Sequence, residues 1–197
     1  MARKGSHRVI HHRRKREGKT DYHYRRRLLK SEKPRLVARI SLEHVRAQLV
    51  EPGEEGDIVL VSAFSKELSD FGYMGYRANT PAAYLSGYLC GLRAVDEGVE
   101  EAVLDLDRFV SSPQARIFAV LKGALDAGLK VPHGEDVLPT DERCRGEHIS
   151  EYAEVLKSDE EKYNSQFSRY LEKGLSPEDF PEHFKQVKDS IKERYGE

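Results

Sequence analysis

The residues most able to do chemistry lie between Asp21 and Lys30, where Tyr22, Arg25, Arg26, Arg27 and Lys30 crowd into ten positions around His23 and Tyr24. Guanidinium groups grip phosphates in a bidentate fashion and stack on bases, while Tyr and His rings offer platforms for unpaired bases. The stretch before it adds cations without aromatic partners: Arg3, Lys4, Arg8, Arg13, Arg14, Lys15, Arg16 and Lys19. The stretch after it adds Arg35, Arg39, His44, Arg46 and Gln48. Residues 1–40 hold 15 Lys and Arg against 3 acidic residues, and the remaining 157 hold 18 against 31. A net charge of −1 thus conceals a basic arm on an acidic body, the pattern of a chain whose arm meets a polyanion.

These residues need elements to hold them. Residues 1–19 have Val9 and Ile10 as their only large aliphatics after Met1, so they are expected to stay disordered until a partner orders them. Thr20 is a plausible cap for a short helix to about Leu29, on which Arg25, Arg26 and Arg27 fan out at about 100° each. From Pro34 onward the pattern has period two. Leu36, Ala38 and Ile40 share one face, with Arg35, Val37 and Arg39 opposite; Val45, Ala47 and Leu49 likewise oppose His44, Arg46 and Gln48. After the turn at residues 51–57, Ile58–Phe64 reads as a buried strand, completing an antiparallel meander whose outer face is basic.

Thr80-Pro81 then signals a helix to about Glu97, stopped by Gly98. Val103–Leu106 reads as a short strand, Ser112-Pro113 as the cap of a second helix stopped by Gly128, and Leu129–Pro132 as a last edge strand. The fold class is therefore α/β: a mixed sheet in which the three-strand meander is followed by βαβ-type units, with helices packed on it. Helices are expected over 147–157 and 160–172, and a final one beyond Ser176 bearing Phe184, Val187 and Ile191. The chain divides into a basic arm with its short helix (1–30), an α/β core (31–132) and a helical C-terminal extension (133–197).

Other chemistry is poorly supplied. Phosphate-loop glycine patterns, HExxH and GxSxG are absent, so no cofactor is expected. His11-His12 sits among cations, where RNA contact or solvent is a better reading than metal. Cys90 and Cys144 stand 54 positions apart with no grouping around them, which reads as small apolar fillers in a reducing setting. Asp105 and Asp107 straddle the end of a strand, where α/β enzymes keep carboxylates, yet turn or cap roles are the plainer reading. No secretory apolar run follows the basic N-terminus and no apolar run spans a membrane, so a soluble cytoplasmic protein is expected. Two rival readings stay open on the residues alone: an α/β enzyme acting on a phosphorylated substrate, and a DNA-binding protein.

The run from Thr20 to Arg39, followed by His44-Val45-Arg46-Ala47-Gln48, resembles the large-subunit ribosomal protein L-eighteen family in its archaeal form. Asn79–Tyr84, Gly91–Ala94, Gly98–Asp105 and Lys122–Leu129 are similar to that family's central helix and following βα unit. Arg143, Gly146, His148, Ile149 and Pro181–Phe184 resemble the extension of archaeal members. The resemblance implies a non-enzymatic large-subunit protein that binds 5S rRNA and attaches it to 23S rRNA in the central protuberance, beside neighbours such as the L-five family. It implies RNA contact at Tyr22, Arg25, Arg26, Arg27, Lys30, Arg35, Arg39, His44, Arg46 and Gln48, with the arm cations carried over by charge alone. Leu42 stands where Asn is usual, and no contact is assigned to it.

Overall fold

A computed structural model describes residues 10–107 and 112–195. Four strands form one mixed sheet: β1 (Arg35–Ile40), β2 (Val45–Pro52), β3 (Asp57–Phe64) and β4 (Val103–Asp105). Their order is β3-β2-β1-β4, with β1 antiparallel to β2, β2 antiparallel to β3, and β4 parallel to β1. The alternation sets the register. Leu36 pairs with Leu49 and Ala38 with Ala47, so one face is aliphatic throughout. A bulge between Leu49 and Val50 then shifts β2 against β3.

That aliphatic face is covered by helices. After α1 (Arg13–Arg16) and α2 (Tyr22–Leu29) come α3 (Thr80–Asp96) and α4 (Arg116–Asp126), which pack on each other and on the strands. Asn79, not Thr80, caps α3: its Oδ1 accepts from the Ala82 N–H at 2.8 Å, with Pro81 in the first turn. Asn and Thr both suit the site, and the residue that keeps extended backbone takes it. Nor does Ser112-Pro113 open α4. Gln114 adopts φ +61°, and the helix begins at Arg116 after Ala115, without a side-chain cap. Gly98 and Gly128 do follow the two helices, in left-handed conformations (φ 78° and 103°).

α3 and α4 touch backbone to backbone. A Cβ on Gly87 would lie 2.0 Å from the Val120 carbonyl oxygen, and one on Gly123 would lie 2.1 Å from that of Tyr84. Only glycine permits this approach from both sides. The expected last strand at 129–132 reduces to a single parallel bridge between Glu101 and Lys130, although Leu129 and Val131 are buried.

The C-terminal segment folds as α5 (Asp141–Arg145), α6 (Glu147–Leu156), α7 (Glu160–Leu171) and α8 (Phe180–Tyr195). α8 lies on α3 and buries Phe180, Phe184, Val187 and Ile191 in the same core as the sheet, at about 1.5–3 kcal/mol per side chain. Glu178, just before it, gathers Ser176 Oγ at 2.7 Å, Tyr163 Oη at 3.0 Å and Lys157 Nζ at 3.2 Å. Burial works against this carboxylate, yet Ser176, backbone N–H, Lys157 and Tyr163 together hold its pKa down to about 2. Cys90 and Cys144 are both free and buried, and burial lifts their thiols to about 12 and about 11, which keeps them protonated and inert.

Candidate nucleic-acid interface

The outer face of the sheet carries the arginines, and α2 lies across it. Asp21, rather than Thr20, opens α2: its Oδ1 accepts from the His23 and Tyr24 N–H groups at 2.9 and 3.2 Å. The 100° step per residue then sends the three arginines in different directions. Arg25 turns to the sheet and clasps Asp57 with both terminal nitrogens, at 2.9 and 2.5 Å. Tyr24 also turns inward, and its hydroxyl accepts from the Leu106 N–H at 3.3 Å. Arg26, Arg27 and Lys30 are exposed and form no ion pair among the described residues.

Beneath Arg25 runs a chain of alternating charge. Arg35 is only 3% exposed; its Nη1 donates to Asp105 at 2.5 Å and its Nη2 to Asp57 at 2.8 Å. Asp57 is held below the usual carboxylate range chiefly by Arg25, with burial opposing and Arg35 assisting. Next along β1, Arg39 meets Asp107 at 3.3 Å, and the Asp107 N–H donates to Asp105 at 2.9 Å. A cleft of about 280 Å³ remains between this chain and the arm, with Arg14, Lys19 and Gln48 on its walls.

Two readings change here. Arg35 does point outward, as its alternation requires, but outward is not exposed, because α2 covers it. It steadies Asp57, the carboxylate that Arg25 of α2 clasps, and has almost no free surface to give a phosphate. Asp105 and Asp107 are each paired with an arginine, beside a turn in which the Asp107 N–H donates to Asp105.

The hairpin end stays more open. Arg46 is exposed and lies over the Phe64 ring, its Cζ 5.1 Å from the centroid. His44 packs beside the same ring at 4.7 Å and pairs with Ser65 Oγ at 3.2 Å. Gln48 reaches Ser62 Oγ at 3.4 Å. In the arm, the described part is a turn of helix rather than a disordered tether: Glu17 takes Arg13 at 3.9 Å and Lys19 at 2.9 Å, and Arg14 donates to Thr20. Tyr22 packs on His12, their ring centroids 5.4 Å apart. Lys15 is half-buried and Arg16 exposed, neither in an ion pair among the described residues. Arg3, Lys4 and Arg8 lie outside the described residues.

The structure thus brings Arg14, Lys19, Arg25, Arg35, Arg39 and Gln48 around one cleft, and leaves Arg26, Arg27, Lys30 and Arg46 facing outward. Asp57, the anchor for two arginines, went unread as a site residue. It closes an acidic turn, and only the tertiary fold shows it meeting Arg25, 32 positions away.

Comparison with known proteins gives the context of this surface. A family described as "Ribosomal large subunit proteins 60S L5, and 50S L18" matches residues 7–102. The "Large ribosomal subunit protein uL18" of Methanothermobacter thermautotrophicus is 56% identical over 181 residues, covering 92% of this chain and 93% of its own. Its counterpart in Methanococcus maripaludis is 57% identical over 179 residues, covering 91% and 93%. This is a family of structural ribosomal proteins and not of enzymes. With identity at that level over about nine-tenths of its length, the chain belongs to the uL18 family of large ribosomal subunit proteins.

Proposed function

We propose that this ribosomal protein binds 5S rRNA and attaches it to 23S rRNA in the central protuberance of the large subunit. The arm (1–30) and the outer face of the β1–β2 hairpin touch RNA, the core (31–132) positions them, and the extension (133–197) meets neighbours, among them a protein of the L-five family. One observation carries this reading: the two outward arginines of α2. Arg25 is spent on Asp57, and that anchor leaves Arg26 and Arg27 exposed on diverging directions of the helix, in no ion pair among the described residues. Arg46, placed over the Phe64 ring, extends the same charge along the hairpin, and a guanidinium already held there loses little freedom on meeting a phosphate.

The test is Arg26→Gln with Arg27→Gln in the full chain, titrated against 5S rRNA over a range of salt. Two lost phosphate contacts should lower the slope of log K against log salt by about 2 and weaken binding on the order of tenfold or more. Thermal stability should stay within about 0.5 kcal/mol, since neither side chain is buried. Unchanged 5S rRNA affinity, or equal competition by duplex DNA at fixed salt, would overturn the reading.

A further inference from the structure

A second group of cations lies away from the arm, where the extension meets the core. α7 buries only Phe167, but its end carries Arg169, with Lys173 just beyond, to the loop before α3. Arg169 lies over the Tyr76 ring, its Cζ 5.9 Å from the centroid, and Lys173 Nζ donates to the Met74 carbonyl at 2.9 Å. Arg77 joins them, donating through Nη2 to Ser69 Oγ at 2.9 Å, while its Nε is buried with no partner. The Tyr76 hydroxyl donates to the Leu42 carbonyl, which ties the group to the tip of the β1–β2 hairpin. All three cations line one open cleft of about 280 Å³, whose single acidic lining residue among the described residues is Glu43.

We propose that Arg77, Arg169 and Lys173, gathered around Tyr76, form a second phosphate-binding site that holds the backbone of a ribosomal RNA strand. The proposal rests on membership of a ribosomal family and not on the 5S reading. Its warrant is a contrast within the molecule. Arg25, Arg35, Arg39 and Arg93 are structural, and each has a carboxylate at 3.3 Å or closer. Arg77, Arg169 and Lys173 have none among the described residues, although they crowd together. Burial pushes the Lys173 pKa down, and the nearby charges of Arg77 and Arg169 push it the same way. An anion between them relieves that repulsion. A phosphodiester fits, since two guanidiniums and an ammonium can share its oxygens while Tyr76 offers a ring beside them. The extension then completes a site that the core alone supplies in half.

The experiment uses the full chain with Arg169→Gln and Lys173→Gln, both exposed, and a control with Arg169→Lys and Lys173→Arg. Binding to 5S rRNA, to 23S rRNA and to poly-glutamate is measured across a salt series. The glutamine variant should lower the salt slope by about 2 with at least one RNA, weaken binding on the order of tenfold, and leave the melting temperature unchanged, while the charge-keeping control binds as the parent does. Unchanged slopes with both RNAs overturn the proposal. So does a loss confined to poly-glutamate, which would assign the cleft to an acidic protein. A failure of the Arg26 and Arg27 test with a positive result here confined to 23S rRNA would remove the 5S reading and keep this one.

Discussion

The two faces of the sheet are made by the same strands yet held by opposite means. The inner face is dry: Leu36, Ala38, Ala47 and Leu49 are fully buried against helices whose backbones meet at Gly87 and Gly123. The outer face is held by charge, with Arg25, Asp57, Arg35 and Asp105 strapping α2 down. A dry interface resists salt and acid and tolerates no added atom. An ionic strap tolerates changes of shape but answers to pH and to any partner that competes for its charges.

The largest effect should come from filling the inner contact. Gly87→Ala sets a methyl against the Val120 carbonyl, and the helices must part; we expect a loss of about 3 kcal/mol, read as a fall of roughly 6–12 °C in melting temperature. Asp105→Ala should come next. It leaves Arg35, 3% exposed, with half its compensation, at a cost of about 2–3 kcal/mol in urea unfolding. If it cost nothing, the outer face would not be an ionic assembly. A third effect concerns pH. Asp57 titrates lower in the folded chain than in the unfolded one, so its contribution is complete above about pH 4 and fades as pH falls through its folded value. Amide exchange in α2 should therefore quicken below about pH 4 before that of α3 does. Smallest of all should be Arg46→Ala, which removes an exposed stack on Phe64 and should change stability by less than about 0.5 kcal/mol.

Much of this was legible beforehand, and the contrast explains where legibility stopped. Period-two patterning identified the faces of β1 and β2, because a one-residue slip would turn Leu36 and Leu49 out to water. It assigned Arg35 to the outer face but carried no information on what covers that face. Burial there depends on Asp57 and Asp105, 22 and 70 positions away. Helix starts were misplaced by small steps for a local reason: Thr20 and Asp21, or Asn79 and Thr80, are adjacent residues that can both cap, and the backbone decides between them. The cluster of Arg77, Arg169 and Lys173 left no linear trace, since 92 positions separate its first two members. Among the arginines of α2, by contrast, helical geometry alone required them to diverge, and they do.

The connection between α2 and β1 has a consequence of its own. Only residues 30–34 join them, bent by Glu32 in a left-handed conformation (φ 56°). Such a leash reaches about 17 Å at full stretch. Were Arg25 to let go of Asp57, the helix could swing but not wander, and its effective concentration over the sheet would stay in the millimolar range or above. Release is therefore brief and re-docking quick. A rigid rod of arginines would have to find its target in one orientation; a short-tethered one samples a narrow cone of angles and is recaptured between attempts.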